Sequence, residues 1–330
     1  MKIAKAVILA NGVDQEQPWP SVAPGSKHLF PVANRPILFH HLESLHRAGL
    51  IEATIVAHPE TREAIKLAVG DGRRWKLSVR YADCAGAGGL TGALAACRAF
   101  IGKEPVLVQQ ADALLRGRLN PYITAFGDER LDALALRVVP GRATTSTELP
   151  SGYLLSPRAL EVLIESPQAA ANPIDAVGVS GGRVRVQPVD GCLPCHGDLD
   201  ALLDCNRRML EQLEGDTTTA LLEDSEVQGH VIVHPSAEVR RSTLRGPLII
   251  GASARVTDAY VGPYSSIGAH VKIEGAEIEH SIVLPHAELS FVGTRIESSV
   301  IGERARITRA FRKPSSLRMS IGNGAEVLLS

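Results

Sequence analysis

The stretch VGPYSSIGAHVKIEGAEIEHSIVL, residues 261–284, decides the fold of the second half of the chain. Its aliphatics Val261, Ile267, Ile273, Ile278 and Leu284 stand six, six, five and six residues apart. The spacing continues outward on both sides. Val233, Ile250, Ile267, Leu284 and Ile301 form a ladder with a period of 17 residues. Val239, Val256, Ile273 and Ile307 form a second, interrupted at Ser290, and Leu244, Val261 and Ile278 a third, with Ile296 one residue out of step. Gly251, Gly268 and Gly302 follow three of the first-ladder residues, and the small residues Ala254, Ser265 and Ala305 fill positions between. A repeat this regular means a solenoid, in which each turn buries its aliphatics against the next. Three short edges per turn, each with one inward aliphatic, predict a left-handed parallel β-helix of hexapeptide type over residues 228–330. An ordinary β-sandwich would have to place five registers in phase by accident. Beyond the repeat lie the basic residues Arg312, Lys313 and Arg318, and Val327–Leu329 is a candidate last strand.

The first 215 residues have another texture. Ile3–Ala10, Ala53–His58, Leu77–Ala82, Pro105–Gln110 and Asp132–Val138 are continuously apolar or β-branched, as strands buried on both faces are. Helical patterns separate them: Pro36–Ala48, with proline near its first turn and Gly49 past its end, then Glu60–Val69 and Gly89–Phe100. Asp198–Leu213 reads as a closing helix. Strand–helix–strand order predicts an α/β domain over 1–215 with a mainly parallel sheet. Ligands of such sheets bind outside the carboxyl ends of the strands, so the loops after Ala10, Ala82 and Gln110 are where chemistry belongs.

Composition narrows the class. The chain has 330 residues, a net charge of −1 and 4% aromatics, with no basic run interleaved with aromatics, which argues against nucleic acid as a partner. No apolar stretch approaches the roughly 20 residues of a membrane helix, and Ile3–Ala10 is too short for a signal-peptide core. A cytoplasmic protein with no membrane partner is expected. The five cysteines are too few, and odd in number, for a disulfide framework.

Three segments carry a resemblance to a known family: KHLFPVANRP at 27–36, VGDGRRWKLSVRY at 69–81, and the β-helix stretch quoted above. Together the two halves resemble the sugar-phosphate nucleotidyltransferases, in particular the long-form glucose-1-phosphate thymidylyltransferases, nearly end to end. The resemblance implies a Rossmann-like nucleotidyltransferase domain and a reaction joining an NTP to a sugar 1-phosphate with release of pyrophosphate. It implies in-line attack at the α-phosphorus, with Mg²⁺ and basic groups neutralising charge. It assigns the β-helix to structure and assembly.

The family pattern departs at several of its site positions. A triphosphate cradle needs glycines and an arginine, and the family writes Gly-Gly-x-Gly-Thr-Arg. Here the loop reads NGVDQEQP, residues 11–18: Gly12 remains, and the arginine position falls on Gln17 or Glu16. Asp14 and Glu16 add negative charge, opposing a triphosphate by roughly 1–4 kcal/mol at surface-like dielectrics. Lys27 matches the phosphate-contacting lysine, though a solvated loop lysine reads the same way. Cys84 stands where the family's base-reading glutamine belongs, and Gly89 matches the glycine that lets the base approach. Asp112 matches the Mg²⁺-binding aspartate, and equally suits a loop cap. Its partner aspartate is replaced by Cys195, a thiol, where Mg²⁺ wants hard oxygen donors. Between Val138 and Gly152 the chain is short, and the family's Glu-Lys-Pro segment, with its sugar-phosphate lysine, is missing. The expectation is therefore a degenerate site, with nucleotide, sugar phosphate or protein as candidate partners, and Mg²⁺ as cofactor only if catalysis survives. An active enzyme for an unusual sugar or cyclitol phosphate is the alternative.

Other signals are weaker. Cys192-Leu-Pro-Cys195-His196 fits a haem-attachment pattern, for which neither export nor a haem-lined fold is visible. Cys192, Cys195, His196 and Cys205 have zinc-ligand chemistry but no ribbon spacing. His40, His41 and His46 share a helix, where structural roles are the commoner ones. His230, His234, His270, His280 and His286 lie in the β-helix, the fold of hexapeptide acyltransferases, but no long loop excursion accompanies them. Cys84 or Cys195 as a nucleophile lacks an evident base. Exposed aliphatic rungs on an uncapped solenoid predict a homo-oligomer.

Overall fold

The computed structural model describes residues 3–11, 26–84, 89–139, 150–165, 172–192, 199–213 and 221–309. The five expected strands form, within a residue or two, as β1 (Lys5–Ala10), β2 (Glu52–Ala57), β3 (Ser78–Asp83), β4 (Val106–Gln110) and β5 (Ala133–Val138). Two more, β6 (Gly152–Leu155) and β7 (Val184–Val189), complete a seven-stranded sheet in the order β7-β5-β6-β4-β1-β2-β3. All its pairings are parallel except those of β6, which runs antiparallel between β4 and β5. β7 alternates exposed and half-buried residues as an edge strand does, which hid it among the apolar runs.

Helices cover both faces. α1 (Ile37–Arg47) turns Ile37, Leu38, His41, Leu42 and Leu45 inward, a stripe at helical spacing. It shares one core with α2 (Pro59–Val69) and α5 (Asn120–Asp128). The other face carries α3 (Gly89–Ala96), α4 (Arg98–Ile101), α6 (Pro157–Glu165) and α7 (Pro173–Val179). The expected single helix Gly89–Phe100 is two, because the chain leaves helical geometry at Cys97. α8 (Leu199–Leu210) closes the α/β body. Among the described residues no helix is long and apolar enough to cross a membrane.

From Leu221 onward three parallel sheets of short strands wind as a left-handed β-helix. Strand Leu221–Glu223 is already in register with Glu238–Arg240. The register corrects the ladders read from sequence in one turn. Val283, not Leu284, stands between Ile267 and Ile301, and Leu289 fills the gap assigned to Ser290. Ile296 pairs with Ile278 and is in step after all. One corner, between Ile278 and Val283, is a residue short, and the step from Leu289 to Ile296 is two residues longer than its counterparts, so the period runs 16 then 18 locally. Corners explain the glycines. A Cβ on Gly251 would meet the backbone of Gly268 and Ala269 at 2.8 Å, and one on Gly268 would meet Pro285 N at 2.8 Å. Leu284 occupies the equivalent position in the next turn and points instead into the joint between the two bodies.

That joint has an apolar part and a polar part. Phe30, Val32 and Ile37 pack with Leu202 and Leu203 of α8 and with Ile282 and Leu284 of the solenoid. At its centre Asn206, fully buried, accepts from Ala33 N (2.8 Å) and Ser266 Oγ (2.7 Å) and donates to Tyr264 O (3.1 Å). Asn34 adds a bond to Ile267 O. Buried polar groups need partners, and here one side chain supplies them across three segments.

A disulfide also reaches this joint. Cys192 and Cys205 are bonded, with a Cα–Cα distance of 5.3 Å. No framework was expected from five cysteines; one staple needs only two that the fold brings together, and a sequence separation of 13 conceals the pairing. Bonded sulfurs supply no thiolates, so two of the four zinc-ligand candidates, and the first cysteine of the haem-type pattern, are occupied.

Candidate functional site

The site forms at the carboxyl ends of two neighbouring central strands, β1 and β4. Beyond β4, Ala111 N bonds back to Leu9 O, which sets Asp112 beside the end of β1. The chain returns to the same place in a single 3-10 turn, Lys27–Leu29, capped by Ser26, whose hydroxyl accepts from His28 N. The turn delivers two side chains to one carboxylate. Lys27 Nζ lies 3.2 Å from Asp112 Oδ1 and 3.3 Å from Oδ2, and His28 Nε2 lies 2.7 Å from Oδ1. Ser26 Oγ, 3.3 Å from His28 Nδ1, orients the ring from behind. Ser26 and His28 are each 1% exposed, so the hydroxyl is a support for the imidazole and not an accessible nucleophile. Burial works to raise the Asp112 carboxyl, but the His28 hydrogen bond and charge, with Lys27, outweigh it and hold the group well below the ordinary carboxylate range.

The α1 histidines buttress this arrangement. His41, 2% exposed, bonds Ala111 O at 3.4 Å, immediately before Asp112. Burial lowers its pKa to about 4, against the opposing pull of that carbonyl, so the ring is neutral. His40 bonds Val32 O at 2.9 Å, and burial lowers its pKa as well. These are structural roles.

A second strip of chain runs alongside. Leu114 and Leu115 pair antiparallel with Cys192 and Gly191, two residues beyond Asp112. The short strand Gly191–Cys192 thus lies beside the chain that follows Asp112. Cys195 itself, with His196, lies outside the described residues, as do Gly12, Glu16 and Gln17.

The structure therefore joins Lys27 to Asp112, 85 residues apart in sequence. It places Cys84 elsewhere: at the end of β3, 8% exposed, in the apolar cluster with Leu90, Leu94 and Cys97. Burial, and the neighbouring Cys84, push the Cys97 thiol up to about 12. Neither cysteine presents a ready nucleophile. Gly89 opens α3 at φ 48°, and among the described residues nothing lies within 4 Å of where a Cβ would stand. The sequence reading missed His28. Its signal was adjacency to Lys27 in a segment too short for an α-helix, where consecutive side chains can converge on one acceptor.

The arrangement suits an anion poorly and Mg²⁺ less. Among the described residues Asp112 is the one carboxylate bonded in this cluster, and both its oxygens meet the Lys27 ammonium. A hard dication wants several oxygens at close range, and among the described residues no group of three or more His, Cys, Asp or Glu is placed to hold a metal. Among the described residues, Asp112 with Lys27 and His28 on it does not by itself make a site for the ion.

Comparison with known proteins places the chain among relatives. A family model described as nucleotidyl transferase matches residues 5–149. A glucose-1-phosphate thymidylyltransferase of Streptomyces griseus is 32% identical over 356 aligned positions, covering 99% of each chain. One of Streptomyces antibioticus is 27% identical, covering 98% of this chain and 99% of its own. Among solved structures, one from Bacillus anthracis, assigned as a glucose-1-phosphate thymidylyltransferase and in complex with a sucrose, superposes with a TM-score of 0.54. At 20% identity, covering 64% of this chain and 97% of that one, it supports the fold alone.

Proposed function

The chain belongs to the sugar-phosphate nucleotidyltransferase family, and from that premise we propose that it has lost nucleotidyl transfer and serves as a binding or regulatory homologue. One observation carries the reading. The surviving phosphate lysine and the surviving metal aspartate, Lys27 and Asp112, neutralise each other, and His28 also bonds the carboxylate. A charge-neutralising site works by presenting unpaired charge to the reacting phosphates; here that charge is spent internally. The replacements at Gln17, Cys84 and Cys195 and the short chain between Val138 and Gly152 point the same way. The partner would be a nucleotide or sugar phosphate held without turnover, or a protein such as an active relative.

Incubation with each NTP, Mg²⁺ and a panel of sugar 1-phosphates, read as pyrophosphate release, tests the proposal. No release is expected, and Gln17→Arg with Cys195→Asp is expected not to restore it, because the sugar-binding segment is also missing. Robust release from either protein overturns the reading. The alternative is an active enzyme for an unusual sugar or cyclitol phosphate. Gly89, kept at the position where the family lets the base approach, favours it, and micromolar calorimetric binding of one NTP with Mg²⁺, followed by turnover, would decide for it.

A cytoplasmic homo-oligomer accompanies the proposal. Leu221, Leu222 and Ile307, on the first and last described strands of one solenoid sheet, are 52%, 38% and 37% exposed. Light scattering on the purified chain tests the assembly; a monomer at micromolar concentration would sink it.

A further inference from the structure

One corner of the solenoid carries a column of side chains that the transferase reading does not use. Ser253, His270, His286 and Arg304 occupy the same corner in four successive turns, each with a backbone in the left-handed region, φ 54°, 58°, 63° and 57°. Two residues on, the outward positions are Arg255, Lys272, Glu288 and Arg306, paired in register along one sheet. The two columns line a groove of about 500 Å³. The irregular 16- and 18-residue turns do not disturb it, because their missing and extra residues fall at other corners. His270 N, His286 N and Arg304 N each bond a carbonyl of the preceding turn, Ala252, Ala269 and Pro285, at 2.8, 3.0 and 3.1 Å.

The groove is positively charged in a chain whose net charge is −1. Four cations, Arg255, Lys272, Arg304 and Arg306, meet two carboxylates. Glu288 is shared between Lys272 (2.9 Å) and Arg306 (3.1 Å), and Arg304 pairs with its neighbour Glu303. Arg255 has no carboxylate partner among the described residues. The His270 and His286 rings stack face to face, centroids 4.8 Å apart and 6° from parallel, and among the described residues neither ring has a hydrogen-bond partner. Their nitrogens are thus left to solvent or a ligand along the groove.

We infer that this corner groove binds a linear oligophosphate, free or as the tail of a nucleotide. Solenoid rungs repeat about every 4.8 Å, so the donors extend over four rungs, or about 14 Å. A single phosphate spans two rungs at most, whereas a chain of phosphates would engage Arg255, the two imidazoles and Arg304 or Arg306 together. Charge-assisted bonds to phosphate oxygens are the strong class of such contacts, and the backbone that presents the donors is already braced turn to turn. The site is separate from the Lys27–Asp112 cleft and stands whether or not that cleft is catalytic.

The test is calorimetric titration of the full chain with sodium tripolyphosphate at about physiological salt, where loose surface attraction is screened. Arg255→Glu with Arg306→Glu is expected to weaken binding roughly tenfold or more, while Lys27→Ala leaves it within about twofold. Both charge reversals face solvent, and an unchanged melting curve verifies their fold. Independently of any variant, the ring C–H resonances of His270 and His286 should shift on addition of tripolyphosphate. A nucleoside triphosphate separates the sources: groove-dependent binding of both ligands assigns the phosphate chain, and of the nucleotide alone assigns a nucleotide tail. Absence of binding of both tripolyphosphate and the nucleoside triphosphate, loss in Lys27→Ala with retention in the groove variant, equal binding of sulfate, or histidine resonances silent to whichever ligand binds would overturn the inference.

Discussion

The solenoid and the α/β body solve the same problem, burying apolar residues, at very different ranges in sequence. In the solenoid Val239 lies on Val256 and Val256 on Ile273, 17 residues apart each time. In the body, strand order is β7-β5-β6-β4-β1-β2-β3, and the site unites Lys27 with Asp112 across 85 residues. The solenoid tolerates error locally: a turn one residue short is followed by one that is long, and the core ladder continues through Val283 and Leu289. The body has no such redundancy at its site. One pairing more or less at Asp112 changes what the carboxylate can do, while the sheet beneath is untouched. A scaffold can therefore persist after its chemistry has gone, which is the situation proposed for this chain.

The sharpest way to break the contrast is to strike the solenoid at mid-ladder. Val256→Asp places a charge at a fully buried rung with no partner. A loss beyond about 5 kcal/mol is expected, seen in urea denaturation as early unfolding of the β-helix. If only one rung frayed and the midpoint barely moved, the turns would be more independent than the nearest-neighbour picture allows.

Asn206→Leu asks whether the two bodies are thermodynamically one. It removes three bonds, to buried Ala33 N and Ser266 Oγ and to half-buried Tyr264 O. A cost of about 3–5 kcal/mol is expected, with a single thermal transition splitting into two. An unchanged single transition would show that the apolar contact of Phe30, Ile282 and Leu284 suffices.

The body alone should respond to acid through α1. Unfolded, His41 titrates near 6.5; folded, near 4. Between these values the unfolded chain binds a proton that the folded chain excludes. The stabilising contribution is thus complete above about pH 6.5 and declines as pH falls toward 4, by up to about 3 kcal/mol. His40, lowered in the same direction, adds to the slope. In His41→Gln the pH dependence of the urea midpoint should flatten across that window; an identical slope would remove His41 as its source.

The smallest effect is expected at the solenoid surface. Arg241 and Asp258 form a two-bond pair, both 2.7 Å, between successive corners. Both groups are solvated, and exposed pairs contribute little. Arg241→Ala should leave the denaturation midpoint unchanged within error, and a clear drop would mean that corner pairs help to hold the turns together.

Much of this was legible beforehand. The period of 17 identified the solenoid because each rung repeats the same local demand, one inward aliphatic per edge. Continuous apolar runs located β1 to β5 because strands buried on both faces need them. Asp112 and Lys27 could be singled out by position. What escaped was whatever depends on distant partners or on one residue of slippage: the polar edge strand β7, the shift from Leu284 to Val283, the Cys192–Cys205 bond and the hold of His28 on Asp112.

By itself, then, the sequence determined the architecture: an α/β layer followed by a β-helix, with candidate chemistry at the ends of β1 and β4. Periodicity is a local property, repeated often enough to survive single exceptions. The tertiary structure decided the state of the site and the nature of the joint. Whether Asp112 is free or paired, and whether Asn206 is idle or bridges three segments, depends on distances of about 3 Å between residues tens to hundreds of positions apart. No pattern along the chain encodes those distances, because they arise only when separate elements pack.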